Sequence, residues 1–287
     1  MEPIIHVFMH AFKDTLVLLP FLFLTYLAME ALEHKASAKS EEAIKRAGVA
    51  GPVIGGLLGV VPQCGFSAAA ATLYAGRVIT LGTLIAVFLS TSDEMLPILI
   101  AEQAPLALIG KVLGIKLCIG IAAGFIVDVC LRALKRTGDN HVHIHELCEH
   151  EHCHCDHGIV RSAASHTLNV ALFIFLISLV LGAVMHIVGE ETLAEFVSGN
   201  IFLSVCAASL VGLIPNCAAS VAITELYLSG VLGAGAMIGG LLTSAGVGLL
   251  VLFRTNRPMK DNLFIVALIF GIGVVFGLLF TMTGFVL

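Results

Sequence analysis

Gly59-Val60-Val61-Pro62-Gln63-Cys64-Gly65-Phe66-Ser67 recurs 153 residues later as Gly212-Leu213-Ile214-Pro215-Asn216-Cys217-Ala218-Ala219-Ser220. Each copy sets a proline and a polar side chain inside an otherwise apolar run. Proline removes a helical hydrogen bond, and the freed backbone groups need protein or water as partners in a membrane. The pieces on either side, within residues 48–76 and 196–230, are each about 12–16 residues long, too short for an untilted span. Re-entrant helical hairpins are the expected outcome.

The surrounding composition places these breaks in a bilayer. The 287 residues are 58% hydrophobic and 12% charged, with a mean hydropathy of +1.02. A soluble domain is nearer 45–50% apolar and about a quarter charged, and cannot hide this much apolar surface. Continuous spans are expected at residues 15–33, 78–100, 105–131, 166–188, 231–253 and 262–286, each near the roughly 20 residues a membrane helix needs. The first segment carries Glu2 and Asp14 against Lys13, so a cleaved signal peptide, which needs a basic start, is not expected. Basic residues are scattered singly, which gives nucleic-acid binding no support.

The shift of 153 extends well beyond the two breaks. It takes Tyr74 to Tyr227, Gly82 to Gly235, Leu89 to Leu242, Pro105 to Pro258, Gly120 to Gly273 and Gly124 to Gly277. Pro, Cys and Tyr in one constant register mark a duplication. Charge then orients it. With hairpins that return to their side of entry, Lys35, Lys39, Lys45, Arg46, Arg77, Arg132, Lys135, Arg136, Arg161, Arg254, Arg257 and Lys260 share one side. Lys13, Lys111 and Lys116 fall on or near the other, with Glu102, Glu190, Glu191 and Glu195. The positive-inside rule selects this arrangement, with both termini outside. Hairpin arms that each cross on a tilt would give ten helices with the same loop sides. Either way each repeat crosses an odd number of times, so the halves are antiparallel. The expected fold is an all-α polytopic membrane protein of two inverted-topology repeats, each with a broken-helix hairpin. Residues 1–136 form the first repeat, 137–160 a His/Cys-rich cytoplasmic loop and 161–287 the second repeat. Inverted repeats with broken helices are the architecture of secondary transporters.

Three groups of residues could carry chemistry. Ser90-Thr91-Ser92-Asp93-Glu94-Met95-Leu96-Pro97 lies inside an expected span, where carboxylates are costly and mark ion or proton paths. Its counterpart, Thr243-Ser244-Ala245-Gly246, keeps the small polar break without the acids. Gln63, Cys64, Ser67, Asn216, Cys217 and Ser220 stand at the hairpin tips, and Glu225 in the second hairpin offers a further oxygen. Carboxylate and amide oxygens suit a hard ion, whereas thiolates favour soft metals or trivalent arsenic. Third, residues 141–157 read HVHIHELCEHEHCHCDH. His141, His143, His145, His150, His152, His154 and His157 alternate there with Cys148, Cys153, Cys155 and acids, a composition that binds borderline divalent metals without building a core. Asp128, Glu30, Glu33 and His186 read as interfacial. No phosphate-binding Gly-rich Lys motif and no His-Glu-x-x-His is present, so neither ATP drive nor zinc-peptidase chemistry is expected.

With Val61–Ser67, Ser92–Pro97, Ile214–Ser220 and the His-rich loop in view, nearly the whole chain resembles a bacterial family of ten-helix heavy-metal exporters. That family is loosely related to the organoarsenical permeases and often labelled as manganese transporters. The resemblance implies a multi-pass protein of the bacterial inner membrane that exports metal, is not an enzyme and holds no catalytic cofactor. The reading that results is a divalent-cation exporter, Mn²⁺ first and Zn²⁺ or another metal after it, driven by proton antiport. Its partners are the metal ion and the bilayer, with a homo-oligomer left open. An exporter of trivalent arsenicals or soft metals through Cys64 and Cys217 is the alternative within transport. A membrane metal sensor or scaffold built on the His-rich loop is the alternative outside it.

The orientation is testable. A cysteine introduced at Glu191 should react with an impermeant thiol reagent on intact cells, and one at Arg77 should not. Protection at 191 with labelling at 77 would reverse the topology.

Overall fold

The computed structural model describes residues 50–62, 64–92, 95–133 and 201–283, and parts of 8–27 and 160–180. The side chains of Cys64 and Cys217 are excepted. The His-rich loop, Gln63, Asp93 and Glu94 lie outside the described residues.

The described residues form helices and no strands. They are α1 (Gly51–Val60), α2 (Cys64–Ala75), α3 (Leu81–Ser90), α4 (Met95–Ala101), α5 (Leu106–Ala133), α6 (Ile201–Gly212), α7 (Cys217–Leu228), α8 (Ala234–Thr243), α9 (Gly248–Thr255) and α10 (Met259–Met282). As expected from the prolines, α1 gives way to α2 at residues 61–63, and α6 to α7 at 213–216. Two spans are also interrupted halfway. α3 and α4 divide the stretch Leu81–Ala101, and α8 and α9 divide Ala234–Thr255. At 1.5 Å per residue each stretch is roughly 30 Å long, the thickness of the hydrocarbon core. α5 and α10 run unbroken for 28 and 24 residues.

The two interrupted spans form the centre. α3 touches α8, while α1 and α5 flank α3, and α6 and α10 flank α8. α2 crosses over to lie on α9, and α7 lies on α4. Phe88, Leu84, Ile85 and Leu89 of α3 and Met237, Ile238, Leu241 and Leu242 of α8 are fully buried. Outward-facing positions are as apolar as the core. Leu263, Phe264, Val275 and Leu279 of α10 and Ile54, Leu57 and Leu58 of α1 are exposed. Such a surface is untenable in water and natural against lipid.

Small residues let the flanking helices approach the centre, as is common where lipid leaves packing as the main attraction. A Cβ at Gly82 would overlap the Gly124 carbonyl and the Asp128 carboxyl, and one at Gly235 would overlap the Gly277 carbonyl and the Thr281 hydroxyl. A Cβ at Gly59 would meet Ser90 and Val87, and one at Gly212 would meet Thr243 and Gly240. Each of these contacts has its counterpart 153 residues on.

Gly82→Ala or Gly235→Ala should therefore force α3 from α5, or α8 from α10, at a cost of roughly 1–3 kcal/mol. Gly110→Ala in α5, with nothing within 4 Å of the added carbon, should cost nothing and could gain up to about 1 kcal/mol of helix propensity. Thermal unfolding in detergent separates the two, and equal melting of all three variants would contradict this packing.

Candidate functional site

The candidate site is the pair of breaks at the centre of the bundle. Thr91 and Ser92 follow α3, and Ser244, Ala245, Gly246 and Val247 follow α8. All are buried. In sequence, Asp93 and Glu94 connect Ser92 to Met95.

The two breaks satisfy their carbonyls differently. At the end of α3, Ser90 Oγ donates to the Ala86 and Val87 carbonyls at 2.7 and 3.2 Å. Thr91 Oγ1 donates to Val87 at 2.8 Å, and Ser92 Oγ to Ser90 at 3.0 Å. At the end of α8, Thr243 Oγ1 donates to the Ser209 and Gly240 carbonyls at 2.8 and 2.9 Å. The Leu241 carbonyl takes the ammonium of Lys116, at 2.5 Å. Gly246 has φ +55°, a conformation that favours glycine. It stands where the first repeat has Asp93, so the second break has a backbone reason to lack an acid there.

Lys116, counted in the sequence on or near the outer side, is buried within the protein. It is 1% exposed, on α5. Asp128, read as interfacial, is buried near the end of α5. Its Oδ1 accepts from the Gly82 backbone N–H and its Oδ2 from the Thr80 hydroxyl, both at 2.8 Å. A carboxylate thus covers the N-terminus of α3, where orphan N–H groups and the helix dipole favour negative charge.

The tip residues divide. Ser67 is buried in α2 beside Gly248 of α9, and Ser220 is buried in α7. Asn216 caps α7, its side-chain oxygen accepting from the Ala218 N–H at 3.2 Å. Glu225 is exposed on α7. Among the described residues, no three His, Cys, Asp or Glu side chains gather into a metal site. Cys118 and Cys130 are free and exposed on α5.

A second polar cluster joins α2 to α10. Tyr74 Oη donates to Asp261 Oδ2 at 2.9 Å, and Asn256 Nδ2 donates to the same oxygen at 3.1 Å. Asn256 Nδ2 also donates to Asn262 Oδ1 at 2.6 Å, and Asn262 Nδ2 donates back to the Asn256 carbonyl at 2.9 Å. Arg77 lies over the Tyr74 ring, with its guanidinium 3.8 Å from Asp261. Arg77 has φ +58°, and its counterpart Gly230 has φ +76°. The first repeat thus carries arginine at a position whose conformation favours glycine, and the guanidinium's contacts with Asp261 and Tyr74 offset the strain.

A family model described as "Putative, 10TM heavy-metal exporter" matches residues 2–191. No curated protein and no solved structure matches the chain.

Asp128→Ala should destabilise the fold by about 1–3 kcal/mol, since it strands the Gly82 N–H in a buried site. Metal transport per folded molecule should be unchanged below the melting transition. Loss of transport in a variant that melts like the wild type would instead place Asp128 in the pathway.

Proposed function

The chain belongs to the heavy-metal exporter family, and from that premise we propose a secondary transporter that exports a divalent cation, Mn²⁺ first, in exchange for protons. Residues 1–136 and 161–287 act as inverted repeats, and α1–α2 and α6–α7 as re-entrant pairs. The protein sits in the bacterial inner membrane with both termini outside. The observation that carries the reading is the pair of buried, hydroxyl-lined breaks where α3 meets α8. Interrupted helices bring carbonyls and half-helix ends to mid-membrane, where ions can be held without water. Asp93 and Glu94 enter the first break by sequence and supply hard oxygen ligands.

Moving a divalent cation out against an inside-negative potential costs about 4.6 kcal/mol per 100 mV, at about 2.3 per charge. A counterflow must supply that energy. Two carboxylates side by side in sequence repel each other when both are ionised, and a bound cation or proton relieves that repulsion. Asp93 and Glu94 hold metal and protons in alternation. Gln63, Ser67, Asn216, Ser220 and Glu225 are secondary oxygen ligands, and Cys64 and Cys217 set the metal preference. The His-rich loop, from His141 to His157, collects metal on the cytoplasmic side. Its thiols stay reduced there.

The cysteines at the starts of α2 and α7 favour a second reading, export of a soft metal or a trivalent arsenical. Purified protein in vesicles, offered Mn²⁺, Zn²⁺, Cd²⁺ and arsenite separately, decides between the two. Mn²⁺ flux with opposite proton movement is expected. Asp93→Asn should abolish both, while Cys64→Ser should shift the metal preference and spare coupling. Arsenite flux alone would favour the second reading, and no flux of any substrate would point to a sensor. Wild-type metal export by the Asp93→Asn, Glu94→Gln double variant would remove the acids from the mechanism.

A further inference from the structure

A lysine is buried mid-helix against the end of α8. Lys116 lies eleven residues into α5, about 15 Å along the helix axis, and is 1% exposed. Its Nζ reaches across to the Leu241 carbonyl of α8, in the other half of the chain. Leu241 is in the last turn of α8, where carbonyls have no partner within the helix and the dipole is negative. This oxygen therefore attracts cations, and the ammonium is the cation it holds.

The arrangement is one-sided. The counterpart of Lys116 in α10 is Ile269, fully buried, and the counterpart of Leu241 in α3 is Phe88. The first break answers its carbonyls with its own hydroxyls. The second answers Leu241 with a side chain from α5. The acids follow the same division, since Asp93 and Glu94 correspond to Gly246 and Val247.

We propose that Lys116 is a resident cation that competes with the transported metal. In the empty protein its ammonium holds the Leu241 carbonyl. A divalent ion entering the breaks displaces it, and the carbonyl becomes a ligand for the metal. Return of the ammonium then helps expel the ion, so the lysine trades affinity for release. A carbonyl oxygen has two lone pairs. An ammonium and a divalent ion on the same oxygen are nonetheless like charges at close range, and in a low-dielectric interior they repel strongly. The inference rests on the metal-export reading and names the residue that tunes it.

Lys116→Met keeps the length and removes the charge. In vesicles, this variant should show a KM for Mn²⁺ about tenfold lower and a reduced kcat, because entry no longer competes and release is no longer assisted. In detergent, Mn²⁺ should raise the melting temperature of the variant more than that of the wild type. Lys116→Gln, which keeps a donor, serves if the Met variant does not fold. A folded variant with the wild-type KM and the wild-type Mn²⁺-induced melting shift would overturn the proposal and leave Lys116 as a cap on α8. Failure of the wild type to move any metal would instead overturn the export reading.

Discussion

Backbone carbonyls released inside a membrane must be given a donor, and the centre of this protein is organised around meeting that demand. α3 and α8 both stop halfway across. At the first stop, Ser90, Thr91 and Ser92 fold their hydroxyls back onto the last carbonyls. At the second, Thr243 and Lys116 do the same work. The Val87 carbonyl already takes the Thr91 N–H, so at the first break the hydroxyls add second donors to the end of the helix. α1, α5, α6 and α10 pack around α3 and α8. Glycines at the contacts with α3 and α8 bring those flanking helices to backbone distance.

Much of this was legible in the sequence. Pro62 and Pro215 marked the ends of α1 and α6, and the hydroxyl run at 90–92 and its counterpart at 243–246 marked the interrupted spans. The constant register paired glycines whose contacts turn out to match. The expected span at 105–131 already held Lys116 well inside its ends, and α5 runs over nearly the same residues. What the sequence did not hold is the position of α8, which gives the ammonium a carbonyl. Asp128 does lie near the end of its helix, as read, but the Gly82 N–H it accepts belongs to the start of α3, 46 residues earlier, a separation that no local pattern encodes. The crossing of α2 onto α9 and of α7 onto α4 likewise has no signature in either segment alone.

The two halves share a packing scheme and differ in polar chemistry. Asp128 corresponds to Thr281, Arg77 to Gly230, Lys116 to Ile269 and Asp93 to Gly246. The counterparts do not repeat these bonds. Thr281 donates to the Gly277 carbonyl where Asp128 accepts the Gly82 N–H, and Ile269 has no donor where Lys116 reaches Leu241. The charges in the first half thus make contacts that the second half lacks. A charge added to a buried position costs desolvation and persists only when paired or used. Asp128 and Arg77 are paired, one to the N-terminus of α3 and the other to Asp261 and Tyr74.

A transporter built of equivalent halves would have two access states of equal energy, because exchanging the halves exchanges the states. Direction then has to come from what the halves do not share, since a ligand or charge shifts an equilibrium only by its difference between states. The charged additions to the first half are such differences. Those that tie it to the second, Lys116 on Leu241 and Arg77 with Tyr74 on Asp261, bear directly on how the halves move against each other. On the proposal above, a metal ion that displaces Lys116 from Leu241 would loosen the first of these links and leave the second in place.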